Sequence, residues 1–237
     1  MGLFSKKKKQ KKTKEMLLNN DTPFAVQEAY KALRTKIMFS FSEDSCKTIL
    51  VTSSVQGEGK SITAINLALA LVKNNFKVLL MDCDLRLPTV AQKLSLNAKP
   101  GLTNYLYGEK DNTMSFFQKT NTGLYVMTAG DVPPNPSETL NSKAMQRRLG
   151  LLQETFDYII LDTPPVCTVT DAVILSKNVS GIVLVVRQDV ATYEGVDSAL
   201  SQLKLAGANV IGTVMTGTTA IKKNYKKYGY GYSGKKG

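Results

Sequence analysis

The sequence predicts an α/β fold: a parallel β-sheet flanked by helices, with an N-terminal helix and basic tails at both ends. Three observations predict it. Short runs rich in β-branched residues alternate with helical stretches from Lys47 onward. The runs lack polar/apolar alternation, as strands buried on both faces do. A glycine-containing GEGKS separates the first run from an apolar helical segment.

The elements follow in order. Residues 1–20 read as a basic disordered tail; residues 1–15 hold seven lysines and one glutamate. The stretch DTPFAVQEAYKALRTKIMF predicts a helix over 23–39. Asp21 or Thr22 suits the cap and Pro23 the first helical position. Val26, Tyr30, Leu33 and Ile37 recur at helical spacing. This helix occupies a segment set at 21–42. A larger domain, set at 45–220, begins with the strand KTILVTS. KSITAINLALALVKNN predicts a helix ending at Asn74–Asn75, and FKVLLMD a second strand. LYVMTAG, DYIILD, GIVLVVR and NVIGTVM predict four more, with TYEGVDSALSQLKLA a helix between the last two. Residues 221–237 form a second tail with six lysines and no acid.

Composition narrows the function classes. A chain of 237 residues suits one α/β domain with extensions. No apolar run has the length and continuity of a membrane span. Histidine is absent, which removes Ser-His-Asp catalysis and histidine metal ligands. Cys46, Cys83 and Cys167 lie far apart and form no Cys-x-x-Cys pair, which argues against a zinc or iron–sulfur site. The net charge of +12 sits in the two tails, +6 each, around a neutral middle. Such tails meet anionic lipid or nucleic acid, or are simply solvated.

Three stretches carry chemistry. SSVQGEGKS, residues 53–61, follows a strand and opens a helix. There, backbone N–H groups and the helix N-terminus favour phosphate. Gly57 and Gly59 allow the turn, Lys60 reaches β/γ-phosphates, and Ser61 can ligate Mg2+. Ser54 replaces the first glycine of the usual pattern. VLLMDCDLRLP places Asp82 and Asp84 at the end of a strand, where open α/β sheets bind ligands. Two carboxylates beside a triphosphate can hold Mg2+ and accept a proton, and Arg86 can neutralise phosphate charge. FDYIILDTPP ends a buried strand at Asp162, the place of a metal-directed acid.

A phosphate loop, then D-C-D-L-R, then I-I-L-D-T-P-P resembles the deviant Walker ATPases, and so implies a P-loop fold of that type. Within that group the chain resembles the bacterial tyrosine kinases of capsule and exopolysaccharide clusters. AGDVPPNPSETLNS (129–142), PPVCTVTDAVILS (164–176) and the terminal cluster Tyr225, Tyr228, Tyr230 and Tyr232 match that family's pattern. The likeness covers about 22–232.

The resemblance implies a non-specific protein-tyrosine kinase with ATP and Mg2+ as cofactors. Lys60 and Ser61 would bind ATP-Mg2+, with Gly57, Glu58, Gly59 and Ile62 completing the nucleotide contacts. Asp82 would be the general base, and Ser61, Asp84 and Asp162 would surround the metal. The tail tyrosines would accept phosphate, in a neighbouring subunit. Glu28, Lys31 and Arg34 match an N-terminal stretch that makes oligomer contacts, with Lys31 in place of arginine. Implied partners are a membrane activator of the polysaccharide co-polymerase type, further copies in an oligomer or ring, and a cognate tyrosine phosphatase. An anionic membrane surface would be a further contact for the basic start; nucleic acid is not an expected partner. The implied location is cytoplasmic, at the inner face of the membrane through the activator. Val55 stands where partition-type relatives carry a second loop lysine, and Thr216 where many relatives carry an asparagine near the adenine. The rival readings are a non-kinase ATPase switch on DNA or membrane, and a protein that holds nucleotide without turnover.

Overall fold

A computed structural model describes residues 16–41, 46–108 and 113–218. Helix α1 (Phe24–Phe39) precedes β1 (Lys47–Ser53), α2 (Lys60–Val72) and β2 (Val78–Asp82). Two short helices, α3 (Val90–Leu94) and α4 (Leu102–Tyr107), lead to β3 (Gln118–Lys119) and β4 (Tyr125–Met127). Then come α5 (Pro136–Leu140), α6 (Lys143–Gln153), β5 (Tyr158–Asp162), α7 (Asp171–Leu175), β6 (Gly181–Arg187), α8 (Tyr193–Leu205) and β7 (Val210–Thr216).

The strands form one sheet in the order β3-β4-β2-β5-β1-β6-β7. All neighbouring pairs are parallel except β3 with β4. The central strand β1 lies between β5 and β6, while β2 lies beyond β5. The loop leaving β1 therefore opens where the chain parts to either side, the place where such sheets bind ligands.

Side chains alternate between two buried faces. Ile49, Val51, Val78, Leu80 and Ile160 pack with α2 and the inner side of α1. Leu50, Leu79, Met81, Ile159 and Leu161 pack with α4, α6, α7 and α8. Burial on both faces explains why the strands read as continuous apolar runs. Helix α2 is buried nearly all round, from Ser61 through Leu71. It holds the phosphate loop at its N-terminus against a rigid core.

The structure departs from the expected elements in small ways. Pro23 is the cap of α1 rather than its first residue, and neither Thr22 nor Asp21 caps it. The Thr22 hydroxyl accepts the Asn19 N–H at 2.9 Å instead. Helix α2 stops at Val72, and Asn75 takes a positive φ of 64° in the turn to β2. The two-residue β3 has no propensity signal of its own; its pairing with β4 creates it.

Candidate active site

The loop after β1 is built from its own sequence. Gly57 and Gly59 have φ of 92° and 94°, a region that L side chains avoid. Nothing lies within 4 Å of where a Gly57 side chain would start, so that face of the loop is open. Gly59 caps α2, and Lys60 is its first residue.

Glu58 turns inward, contrary to a side-chain role in nucleotide contact. Its carboxylate accepts the Ser54 hydroxyl and the Val55 N–H, both at 2.8 Å, and the Arg187 N–H at 3.2 Å. The Thr216 hydroxyl donates to the Glu58 carbonyl at 2.7 Å. Glu58 is fully buried, so only its backbone N–H remains for a phosphate. The same bonds explain two sequence departures. Ser54 replaces a glycine because its hydroxyl holds Glu58. Thr216 braces the loop from the end of β7.

Lys60 crosses to the opposite wall. Its Nζ is 2.8 Å from Asp84 Oδ2 and 3.6 Å from Asp162 Oδ1. Burial alone would lower the Lys60 ammonium, but Asp162 and Asp84 outweigh it and its pKa is raised. Asp84 Oδ1 also accepts the Leu87 N–H at 3.1 Å.

Asp82 and Asp162 are register partners at the carboxyl ends of β2 and β5. Asp82 Oδ2 accepts the Thr89 and Val90 N–H groups at 3.1 and 3.0 Å, and Oδ1 accepts the Asp84 N–H at 3.2 Å. Burial first, then the Asp162 charge, push its pKa up to about 7. Asp162 is fully buried, and neither carboxylate oxygen has a hydrogen-bond partner among the described residues. Burial raises its pKa too, although Lys60 pulls the other way.

A cavity of about 460 Å3 joins these groups. Gly57, Gly59, Lys60, Ser61, Ile62, Asp84 and Arg86 line it. Glu58, Asp82 and Asp162 do not: they stand behind the wall. In this arrangement Asp82 reaches no acceptor hydroxyl unless the turn through Thr89 and Val90 releases it. Sequence reasoning missed Thr89, Thr168, Val169 and Arg187 on the lining. Arg187 ends β6 at the ligand edge of the sheet, which was the available signal. Met16 also reaches the rim. It is held there because Asn66 of α2 donates to the Met16 carbonyl at 3.0 Å and accepts the Leu18 N–H at 2.9 Å.

The site fits Mg2+. Among the described residues no cluster of three or more carboxylate, cysteine or histidine groups could hold a metal alone. A buried carboxylate at Asp162 that has the Lys60 ammonium at 3.6 Å but no hydrogen-bond partner among the described residues, with Asp84 and the Ser61 hydroxyl nearby, suits a hard cation shared with phosphate oxygens.

The three residues of α1 expected at an oligomer contact behave differently from one another. Lys31 and Glu28 pair at 2.7 Å on the surface. Arg34 turns inward and donates to the Ala70 carbonyl of α2 at 3.2 Å. Tyr225, Tyr228, Tyr230 and Tyr232 lie outside the described residues.

Residues 46–211 match the AAA domain family. The tyrosine-protein kinase YwqD of Bacillus subtilis is 37% identical over 209 residues, covering 88% of this chain and 86% of the relative. This chain belongs to the bacterial tyrosine-protein kinase family. A solved kinase domain of the Escherichia coli tyrosine kinase ETK has the same fold, with a TM-score of 0.76 at 33% identity, covering 80% of this chain and 74% of that one. Cobyrinic acid a,c-diamide synthase from Mycobacterium smegmatis, solved with an ATP analogue and magnesium, shares the fold alone, with a TM-score of 0.61 at 18% identity over 79% of this chain and 81% of that one. As a member of this kinase family, the chain falls in an enzyme class that moves a phosphoryl group from ATP to tyrosine. No described helix is long and apolar enough to cross a membrane.

Proposed function

We propose that the chain is a tyrosine autokinase that phosphorylates Tyr225, Tyr228, Tyr230 and Tyr232 of a neighbouring copy. The observation that carries this is the Lys60–Asp84 pair at 2.8 Å, across the mouth of a phosphate loop and beside the buried Asp162. ATP would divide that pair, Lys60 turning to the phosphates and Asp84 to the metal. Ser61, Asp84 and Asp162 would hold Mg2+, which supplies neutralisation of phosphate charge. The loop N–H groups and the start of α2 orient the triphosphate. The phenol oxygen bonds to the γ-phosphorus, the bond from that phosphorus to the bridging oxygen breaks, and ADP leaves with the electron pair. The phenolic proton passes to Asp82, whose pKa of about 7 suits a base working near neutral pH. Asp82 must first give up its N–H bonds to Thr89 and Val90, so acceptor binding is coupled to movement of that turn.

On this reading residues 45–220 are the kinase unit, 221–237 the substrate tail and 21–42 an oligomer-contact helix. The tail is lysine-rich and drawn to an acidic, nucleotide-loaded site. The wider role is regulation of capsular or exopolysaccharide synthesis or export. The chain would work in the cytoplasm, held at the membrane by an activator protein and reset by a tyrosine phosphatase. The lysine-rich start would add contact with anionic lipid; equal binding to neutral and anionic liposomes would exclude that contact.

Peptide mass spectrometry after incubation with Mg-ATP tests the central claim. Phosphate on the tail tyrosines is expected in the parent and not in Lys60→Met. Absence of phosphate even with a candidate activator's cytosolic segment present would overturn the reading and turn attention to lipid- or DNA-stimulated hydrolysis.

A further inference from the structure

Two of the stretches that carry the family likeness, 129–142 and 164–176, contribute one residue each to a cluster at the cavity rim. Arg86 leaves β2 and lines the cavity. Its Nε donates to Asp171 Oδ2 at 3.0 Å and its Nη2 to Asp171 Oδ1 at 3.2 Å. Nη2 also donates to the Ser137 hydroxyl at 2.8 Å, and that hydroxyl donates to Asp171 Oδ1 at 2.6 Å. Asp171 opens α7 and its side chain is fully buried, whereas 38% of the Arg86 side chain remains exposed. Three segments following three different strands, β2, β4 and β5, meet here.

A buried carboxylate needs a partner, and a guanidinium fork matches it with two parallel bonds. The fork also fixes the plane and rotation of the guanidinium, which a lysine would not. Ser137 closes the third side. Nη1 is the nitrogen that makes no bond among the described residues, so one edge of Arg86 is left over while the other is locked.

We propose that Asp171 and Ser137 are positioning residues for phosphoryl transfer: they hold Arg86 in one orientation at the rim, its Nη1 edge available to the phosphate oxygens. Neither touches the reacting atoms. The inference rests on the kinase reading and on Arg86 acting in it.

The test uses the full chain with its activating segment, and measures kcat and KM for ATP, nucleotide affinity and melting temperature. Ser137→Ala is the gentle variant, since it removes one hydroxyl from a half-buried site. Its kcat is expected to fall about 10-fold, as loss of an outer partner does at other sites. KM, nucleotide affinity and melting temperature should barely move, and Ser137→Thr should restore the rate. Asp171→Asn and Arg86→Lys should each lose more, and the double variant should lose no more than the worse single one. A merely structural role would show as a lower melting temperature with kcat intact in the folded fraction, and would overturn the proposal. So would losses that multiply in the double variant. Full activity in Arg86→Lys would instead remove the role of the guanidinium fork, and with it the need for positioning. A parent chain that takes no phosphate overturns the kinase reading itself, and this inference with it.

Discussion

Asp82 and Asp162 face each other as register partners at the ends of adjacent parallel strands, both fully buried. Neighbouring strands lie about 4.8 Å apart, so two charges there repel strongly in a dry interior. The pair is a place to hold a cation or a proton.

That arrangement sets a pH dependence. The Asp82 carboxyl has an ordinary pKa of 3.8 in the unfolded chain and about 7 in the fold. Between those values the folded state binds a proton that the unfolded state has lost, so stability falls as pH rises from about 4 to about 7. Each pKa unit corresponds to about 1.4 kcal/mol. Melting temperatures in magnesium-free buffer should decline over that window in the parent and more shallowly in Asp82→Asn. Parallel curves for the two proteins would mean that Asp82 is not the titrating group.

Lys60→Met should abolish phosphorylation, by about 100-fold or more, as loss of a group that meets developing charge does. It also removes the cation shared by Asp84 and Asp162. Melting temperature should therefore drop more at pH 8 than at pH 5, where protonation of the neighbouring Asp82, with its pKa of about 7, relieves the cluster. A loss of activity with a pH-independent change in stability would separate the two roles.

The Glu58 side chain is a strut, although the residue lies within the phosphate loop. Glu58→Ala leaves the Ser54 hydroxyl and the Val55 and Arg187 N–H groups without their acceptor. Each buried donor left unmade costs about 1–3 kcal/mol. The variant should unfold earlier and bind ATP more weakly. Ser54→Gly restores the usual loop pattern yet should cost about 1 kcal/mol, from denaturant melts, because it removes one of those bonds.

The three cysteines should react in a fixed order. Cys167 is exposed, Cys46 half-buried and Cys83 fully buried. Burial raises the Cys46 thiol to about 11. At pH 8 roughly one Cys46 in a thousand is then thiolate, the reactive form. Iodoacetamide should label Cys167 alone in the folded protein and all three after denaturation, read by mass spectrometry. Early labelling of Cys83 would show that the sheet opens near Asp82.

Much of this architecture was legible along the chain. KTILVTS, DYIILD and GIVLVVR lie within one residue of β1, β5 and β6, because strands buried on both faces need unbroken apolar runs. GEGKS at the start of α2 was legible for a similar reason: positive φ needs glycine, and the phosphate contact needs a lysine at a set offset. Signals of this kind are local. Arg34 shows their limit. The family resemblance grouped it with Glu28 and Lys31 at an oligomer contact and gave no sign that contact with α2 draws it to the Ala70 carbonyl.

The sequence by itself determined the main strands and long helices, the loop and the acids at strand ends, since each follows from residues within a few positions of one another. Tertiary structure alone decided which acids meet. Strand order sets Asp82 against Asp162, 80 residues on in the chain, and carries Lys60 across to Asp84. It turns Glu58 inward onto Arg187 and Thr216, 129 and 158 residues away, and binds Arg86 to Asp171. Those partners are fixed by which strands are neighbours and in what register, and a buried charge takes the partner that the fold brings within reach.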